Sequence, residues 1–211
     1  MVDVAIVDYG MGNLRSVEQA LRHVAPGLEI VVTDDATVIE QAGRVVFPGQ
    51  GAMPDCMREL DARGLRSAVV QVAKTKPFLG ICIGLQMLFE HSAEGDVAGL
   101  GVLKGEVVRF AGNMQDERGN KLKVPHMGWN QVNHAAGHSL WAGIEQDARF
   151  YYVHSYYVKP QDESLIQAIS DYPQPFVCAV AQENLFAVQF HPEKSQAAGL
   201  KLLQNFVQWN P

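Results

Sequence analysis

Pro77-Phe78-Leu79-Gly80-Ile81-Cys82-Ile83-Gly84-Leu85-Gln86 says more about the architecture than any other segment of the chain. Pro77 to Ile81 is a short apolar run suited to a buried strand, and Gly84–Glu90 reads as a helix. Between them stands a cysteine with glycines two residues to either side. This is the strand–turn–helix pattern of a nucleophile elbow, with sulfur in place of oxygen. Such a turn brings backbone segments close together, which glycine tolerates and larger residues do not. It lifts the cysteine out of the sheet to a helix N-terminus, where backbone N–H groups favour thiolate over thiol. The N–H of Ile83 is then placed to donate to an oxyanion. A cysteine packed between two glycines is the plainer alternative that the pentapeptide alone leaves open.

Upstream, strands and helices alternate. Val2–Val7, Ile30–Val32 and Val45–Phe47 are strand-like, and the first is followed by the turn-rich Tyr9-Gly10-Met11-Gly12-Asn13. Leu14, Val17, Leu21 and Val24 recur at spacings of three and four, predicting an amphipathic helix over Leu14–Val24. Pro54–Leu60 and Leu65–Ala73 are helix-like. Short apolar strands between helices predict a parallel sheet with helices on its faces. Downstream, Val102–Phe110, Leu122–Val124, Arg149–Val153, Leu165–Ile169, Pro175–Val180 and Leu185–Phe190 read as strands. Ala198, Leu202, Phe206 and Trp209 mark a closing helix. The expectation is one domain over residues 1–211: α/β, with a mixed, largely parallel central sheet flanked by helices and a strand-rich second half.

The 211 residues are 47% hydrophobic and 19% charged, ordinary for a globular chain. Seventeen basic against 23 acidic residues give a net charge of −6, which argues against nucleic-acid binding by phosphate neutralisation. No apolar run reaches membrane-spanning length, and the charge-interrupted start does not read as a secretory signal. The cysteines, Cys56, Cys82 and Cys178, are odd in number and widely spaced, so neither a disulfide framework nor a CxxC metal site is expected. A reduced, cytoplasmic setting follows. Cys56 and Cys178 read as packing residues.

A cysteine elbow needs a base, and the base needs an orienting group. Of seven histidines, His23, His134 and His138 read as solvated, and His126 and His154 have no carboxylate near them in sequence. His191 differs. It follows the strand Leu185–Phe190, Pro192 ends that strand, and Glu193 lies two residues on. A His-Pro-Glu turn can set carboxylate beside imidazole, fixing one ring nitrogen and freeing the other for the thiol. Taken alone, the tripeptide is equally a surface turn.

Gly80-Ile81-Cys82-Ile83-Gly84-Leu85-Gln86 together with Phe190-His191-Pro192-Glu193 resembles the class I, triad-type glutamine amidotransferases, whose fold is flavodoxin-like. Asp8–Ser16, Pro48-Gly49-Gln50-Gly51, Pro125–Asn130 and His191–Ser195 resemble more narrowly the glutaminase subunits of imidazole glycerol phosphate synthases. The resemblance runs essentially end to end. It implies a Cys82, His191, Glu193 triad that hydrolyses L-glutamine to glutamate and ammonia. It also implies a heterodimer with a (β/α)8-barrel cyclase subunit. The channelled ammonia would there convert the ribonucleotide PRFAR to imidazole glycerol phosphate and AICAR in histidine biosynthesis.

The resemblance assigns further roles position by position. The N–H groups of Gln50 and Ile83 would form the oxyanion site, though the family more often has an apolar residue where Gln50 stands. Gly51, Gln86, Glu94, Ser155 and Tyr156 would bind glutamine, and Asn13, Trp129 and Lys194, with Tyr156, would face the cyclase. No metal and no cofactor is implied. The alternatives are an amidotransferase serving vitamin B6 or guanylate synthesis, and a non-catalytic member kept as a scaffold. The first should lack the Asp8–Ser16 and Met127–Asn130 segments; the second has no chemical reason to keep all three triad residues.

Overall fold

A computed structural model describes residues 2–116 and 118–211. The apolar runs of the first half become buried strands joined by amphipathic helices. In chain order these are β1 (Val4–Val7), α1 (Leu14–Val24), β2 (Ile30–Thr33), α2 (Ala36–Gln41), β3 (Arg44–Gly49), α3 (Met53–Ala62), α4 (Arg66–Thr75), β4 (Phe78–Cys82) and α5 (Ile83–Met87). The second half contributes β5 (Phe89–Ser92), β6 (Val97–Ala98), β7 (Leu103–Arg109), β8 (His126–His134), β9 (Ala148–His154), β10 (Tyr156–Pro160), β11 (Ile166–Asp171), β12 (Pro175–Gln182), β13 (Leu185–Val188) and α6 (Gln196–Gln208).

The sheet runs in the order β2-β1-β3-β4-β13-β12-β10-β7-β5-β6, with β8, β9 and β11 branching from β12. Its first five strands are mutually parallel, in the doubly wound order expected of a flavodoxin-like sheet. The pairings β13–β12, β12–β10 and β10–β7 are then antiparallel, while β7 and β5 are parallel. Strands covered on both faces are apolar throughout: β1, β4 and β13 are buried at every position.

One pairing positions the site. β13 lies beside β4, parallel to it, with Val188 opposite Ile81. Cys82 and Gln189 therefore leave neighbouring strands at the same level, and His191 follows just beyond. In open α/β sheets this carboxyl edge is where ligands bind.

Several sequence expectations change in detail. The helix after the elbow stops at Met87 instead of running to Glu90, because Phe89 enters β5 and pairs with Leu103 of β7. Leu122–Val124 is no strand; only Lys121 beside it forms a bridge, to Gln115. Four strands pass unnoticed in the sequence: β5, β6, β8 and β10. β8 alternates polar and exposed apolar residues, and β10 is short and ends in proline. The short helix α2 is also missed, although Asp35 caps it by accepting from the N–H groups of Thr37 and Val38.

Candidate active site

Cys82 sits at φ 57°, ψ −111°, a left-handed conformation that costs a non-glycine residue roughly 1–3 kcal/mol. Its neighbours explain how the turn is tolerated. A Cβ on Gly84 would overlap the carbonyl oxygen of Phe47 on β3, and one on Gly80 would lie 3.0 Å from Cβ of Ala187 on β13. The glycines let the turn press into the two adjoining strands. Cys82 is the N-cap residue of α5, so the N–H of Ile83 belongs to the first turn and has no helical acceptor. With only five residues, α5 supplies this local donor far more than a long-range dipole.

His191 and Glu193 are brought together by a one-turn 3-10 helix, Pro192–Lys194, that starts directly after His191. The Nδ1–H of His191 donates to Oε1 of Glu193 at 2.9 Å, with the side chains only 3% and 1% exposed. The histidine backbone is held on both sides. Its N–H donates to the Tyr151 carbonyl, and its carbonyl accepts from the Ser195 hydroxyl. α6 packs tightly beneath, since a Cβ on Gly199 would overlap the Pro192 carbonyl. Burial acts to lower the His191 pKa, but the sulfur of Cys82 and then the carboxylate of Glu193 outweigh it and hold the ring well above its ordinary value. A protonated imidazole between a carboxylate and a sulfur can deliver a proton to a leaving group and take one back.

Around this pair lies a cavity of about 310 Å³. Cys82, Ile83 and His191 line one part of it, Gln50 and Gly51 another, and Gln86, Glu94, Ser155 and Tyr156 the remainder, with Pro125, Val153 and His154. Glu193 stands behind His191. Every residue expected to act on the substrate thus converges on one place, yet two are partly engaged already. Oε2 of Glu94 accepts from the N–H of Met53 at 2.8 Å, at the start of α3. Nε2 of Gln86 donates to the Tyr156 carbonyl and to Oε1 of Gln189, both at 3.0 Å. Gln86 Oε1, His191 Nε2 and Glu193 Oε2 are buried without a protein partner. Among the described residues only Trp141 Nε1 shares that condition. Buried polar atoms are normally paired, so their concentration here marks a site built to take a polar ligand.

Sequence reasoning missed two features of this site. Gln189 looks like the continuation of an apolar strand, but its amide is fully buried and donates to Cys82 Sγ at 3.8 Å. His126 and His154 form a buried pair, Nδ1 to Nε2 at 3.1 Å. Asn130 fixes the protons: its Oδ1 accepts from the Gln131 N–H, so its Nδ2 is the donor to His126 Nε2. His126 Nδ1–H then donates to His154, whose Nδ1–H donates to the Tyr156 carbonyl at 2.8 Å. Burial pushes His126 down to about 4. It likewise takes His154 down to about 3, against the opposing pull of the Tyr156 carbonyl. The signal for the pair was the two histidines themselves, set aside for want of a nearby carboxylate. His138 is not merely solvated either: its Nδ1 caps a 3-10 turn by accepting from Leu140 N–H.

Asn13, Trp129 and Lys194 lie outside the cavity and gather around the Pro192–Lys194 turn. Lys194 belongs to it, α1, which directly follows Asn13, packs against it, and Trp129 shares a surface hollow with Ser195. Trp129 is 44% exposed and Met127, two residues before it on β8, is 67% exposed, so this tryptophan is not a core residue.

A cysteine on a strained turn, a carboxylate-bound histidine lining the same cavity and an oxyanion-compatible N–H are the groups that cysteine-dependent acyl transfer requires, here on a doubly wound sheet. The family model of class-I glutamine amidotransferases matches residues 5–209. The imidazole glycerol phosphate synthase subunit HisH of Thiobacillus denitrificans is 66% identical over 100% of this chain and 92% of its own length. The same subunit of Nitrosospira multiformis is 65% identical over the whole of both chains. Among solved structures, PurLQS from Thermotoga maritima superimposes with a TM-score of 0.69 at 18% identity, covering 97% of each chain; that likeness concerns the fold alone. The chain belongs to the class-I glutamine amidotransferases, and within them to the family of the synthase subunit HisH. It is therefore an enzyme subunit, and membership of a synthase implies a cyclase partner.

Proposed function

We propose that this chain hydrolyses L-glutamine and delivers the ammonia to a (β/α)8-barrel cyclase subunit, which uses it to convert PRFAR to imidazole glycerol phosphate and AICAR in histidine biosynthesis. The Cys82 sulfur attacks the side-chain carboxamide carbon. A carbon–sulfur bond forms, and the oxygen takes up negative charge opposite the N–H groups of Ile83 and Gln50. His191 gives its proton to the departing nitrogen as the carbon–nitrogen bond breaks, leaving a glutamyl thioester and ammonia. The neutral ring then takes a proton from water as the hydroxide adds to the thioester carbon; the carbon–sulfur bond breaks, glutamic acid leaves, and the Cys82 thiolate beside protonated His191 is restored. Glu193 holds the ring in one orientation throughout. Gly51, Gln86, Glu94 and the Ser155–Tyr156 backbone hold the substrate, with the free oxygen of Glu94 suited to its ammonium. Asn13, Trp129 and Lys194 face the cyclase, and an exposed tryptophan beside the His191 turn suits the centre of such an interface.

The observation that carries this reading is the buried Glu193–His191 hydrogen bond, with Cys82 and His191 lining the same cavity. No helix among the described residues is long and apolar enough to cross a membrane; a cytoplasmic setting is part of the same proposal. With the cyclase and its ribonucleotide, Cys82→Ala is expected to abolish glutamine-dependent product formation while ammonia-dependent formation persists. Loss of both activities would assign the residue to the interface or the fold.

A further inference from the structure

Three consecutive peptide groups make up the loop Pro48-Gly49-Gln50-Gly51, and buried side chains hold the two outer ones. The Tyr9 hydroxyl donates to the Pro48 carbonyl at 3.0 Å. The Cys56 thiol donates to the Gln50 carbonyl at 3.5 Å, a normal reach for sulfur. Neither Tyr9 nor Cys56 has exposed surface. Tyr9 comes from just beyond β1 and Cys56 from α3, so two separate elements grip the loop. Between the gripped carbonyls lies the Gly49–Gln50 peptide, whose N–H is that of Gln50. Its surroundings are close: a Cβ on Gly49 would stand 2.6 Å from the Tyr9 hydroxyl and 2.8 Å from Ile83 Cβ.

We propose that Tyr9 and Cys56 are positioning residues that aim the Gln50 N–H at the oxyanion, by fixing the peptide groups on either side of it. A peptide plane reorients through opposite rotations of the ψ before it and the φ after it. Such a crankshaft motion leaves its surroundings in place only when the neighbouring peptides are anchored. Tyr9 anchors the Pro48–Gly49 peptide and Cys56 the Gln50–Gly51 peptide, so the middle one turns without dragging β3 or α3. This assignment rests on the reading of Gln50 N–H as an oxyanion donor. The chemistry of Cys56 suits a permanent donor, since burial pushes its thiol up to about 11 and keeps the S–H intact at neutral pH. The earlier reading of Cys56 as a packing residue thus captures its burial and misses its hydrogen bond.

The test uses the chain assembled with its cyclase subunit, as wild type, Tyr9→Phe, Cys56→Ala and Cys56→Ser. Loss of a whole oxyanion donor costs a hundredfold or more, so a loosened one is expected to lower kcat about tenfold in Tyr9→Phe and Cys56→Ala. KM for glutamine should move less than about twofold, the signature of an interaction made in the transition state. Cys56→Ser keeps a donor and should recover most of the turnover. Glutamate γ-semialdehyde provides a second readout. The Cys82 thiol adds across its aldehyde, sulfur to carbon and proton to oxygen, and that oxygen occupies the oxyanion position. Its inhibition constant should rise by the factor that kcat falls. Unchanged kcat and inhibition, or a raised KM with kcat intact, overturns the proposal. A Cys82→Ala control separates the two levels. If it still hydrolyses glutamine, the catalytic reading itself fails. If it is inactive while Tyr9→Phe and Cys56→Ala behave as wild type, only the positioning role fails. Tyr9→Phe removes one oxygen atom and preserves the ring packing, so a folding defect does not obscure the result.

Discussion

Acid should loosen this fold earlier than its carboxylates would, because of the buried His126–His154 pair. Both rings are neutral in the folded chain, at about 4 and about 3. In the unfolded chain each returns to about 6.5. As pH falls through that value, the unfolded state takes up protons that the folded state refuses, so stability drops. Going from pH 7.0 to pH 5.5, linkage gives a loss of about 1.2 kcal/mol per histidine, or about 2.5 kcal/mol for the pair. The result depends little on the folded values, since both lie well below pH 5.5. Phe110, Tyr152, Tyr172 and Phe176 surround the pair and offer no carboxylate to rescue a charged ring. His138 is also lowered by burial and adds in the same direction. His191 offsets part of this: its pKa is raised to about 10, so its contribution still grows by about 0.8 kcal/mol from pH 7.0 to 5.5, a gain that the wild type shares with any variant that keeps this residue. Urea unfolding at pH 7.0, 6.25 and 5.5 measures the effect, with a His126→Gln, His154→Gln double variant as reference. The wild type should lose about 2.5 kcal/mol more than the variant across that range. Parallel stability curves for the two proteins would refute the reasoning.

Glu193→Gln should lower kcat for glutamine by roughly 10- to 100-fold, the worth of about 1.5–3 kcal/mol for a hydrogen bond to a charged group. Steady-state glutamate release by the assembled synthase measures it, and a kcat within twofold of wild type would contradict an orienting role. Gly84→Ala forces a methyl group onto the Phe47 carbonyl and should cost about 1–3 kcal/mol, as overpacking does. A thermal melt decides that point, since an unchanged Tm would mean that β3 and α5 are not in the tight contact described.

Local features were legible in the sequence wherever the physics is local. Leu14–Val24 is a helix within the residues that its apolar spacing marks. The glycines about Cys82 announced a strained turn, and Pro192 announced the turn after β13, although that strand already ends at Val188. The relation between those motifs was not legible. That β4 and β13 are neighbours follows from a pairing across most of the chain, and no short-range pattern encodes it. Gln189 was invisible for the same reason: only the register of β13 turns a strand residue into a donor to Cys82. β8 escaped because Met127 and Trp129 face outward, so its pattern is not that of a strand packed on a core. Cys56 looked like packing because it is packed; its bond to Gln50 depends on how α3 leans on a loop formed elsewhere.

The late arrival of β13 has a bearing on how the polypeptide is made. Gln189 is 107 residues beyond Cys82, so at ordinary ribosomal speeds about 5–20 s separate their synthesis. Through that interval the nascent chain carries a sulfur without His191, the ring it works with, and it cannot squander glutamine. The same delay leaves the facing margins of β4 and β12 without hydrogen-bonding partners until β13 slots between them. Those bare margins are the places where a half-made chain would stick to its neighbours on a crowded polysome.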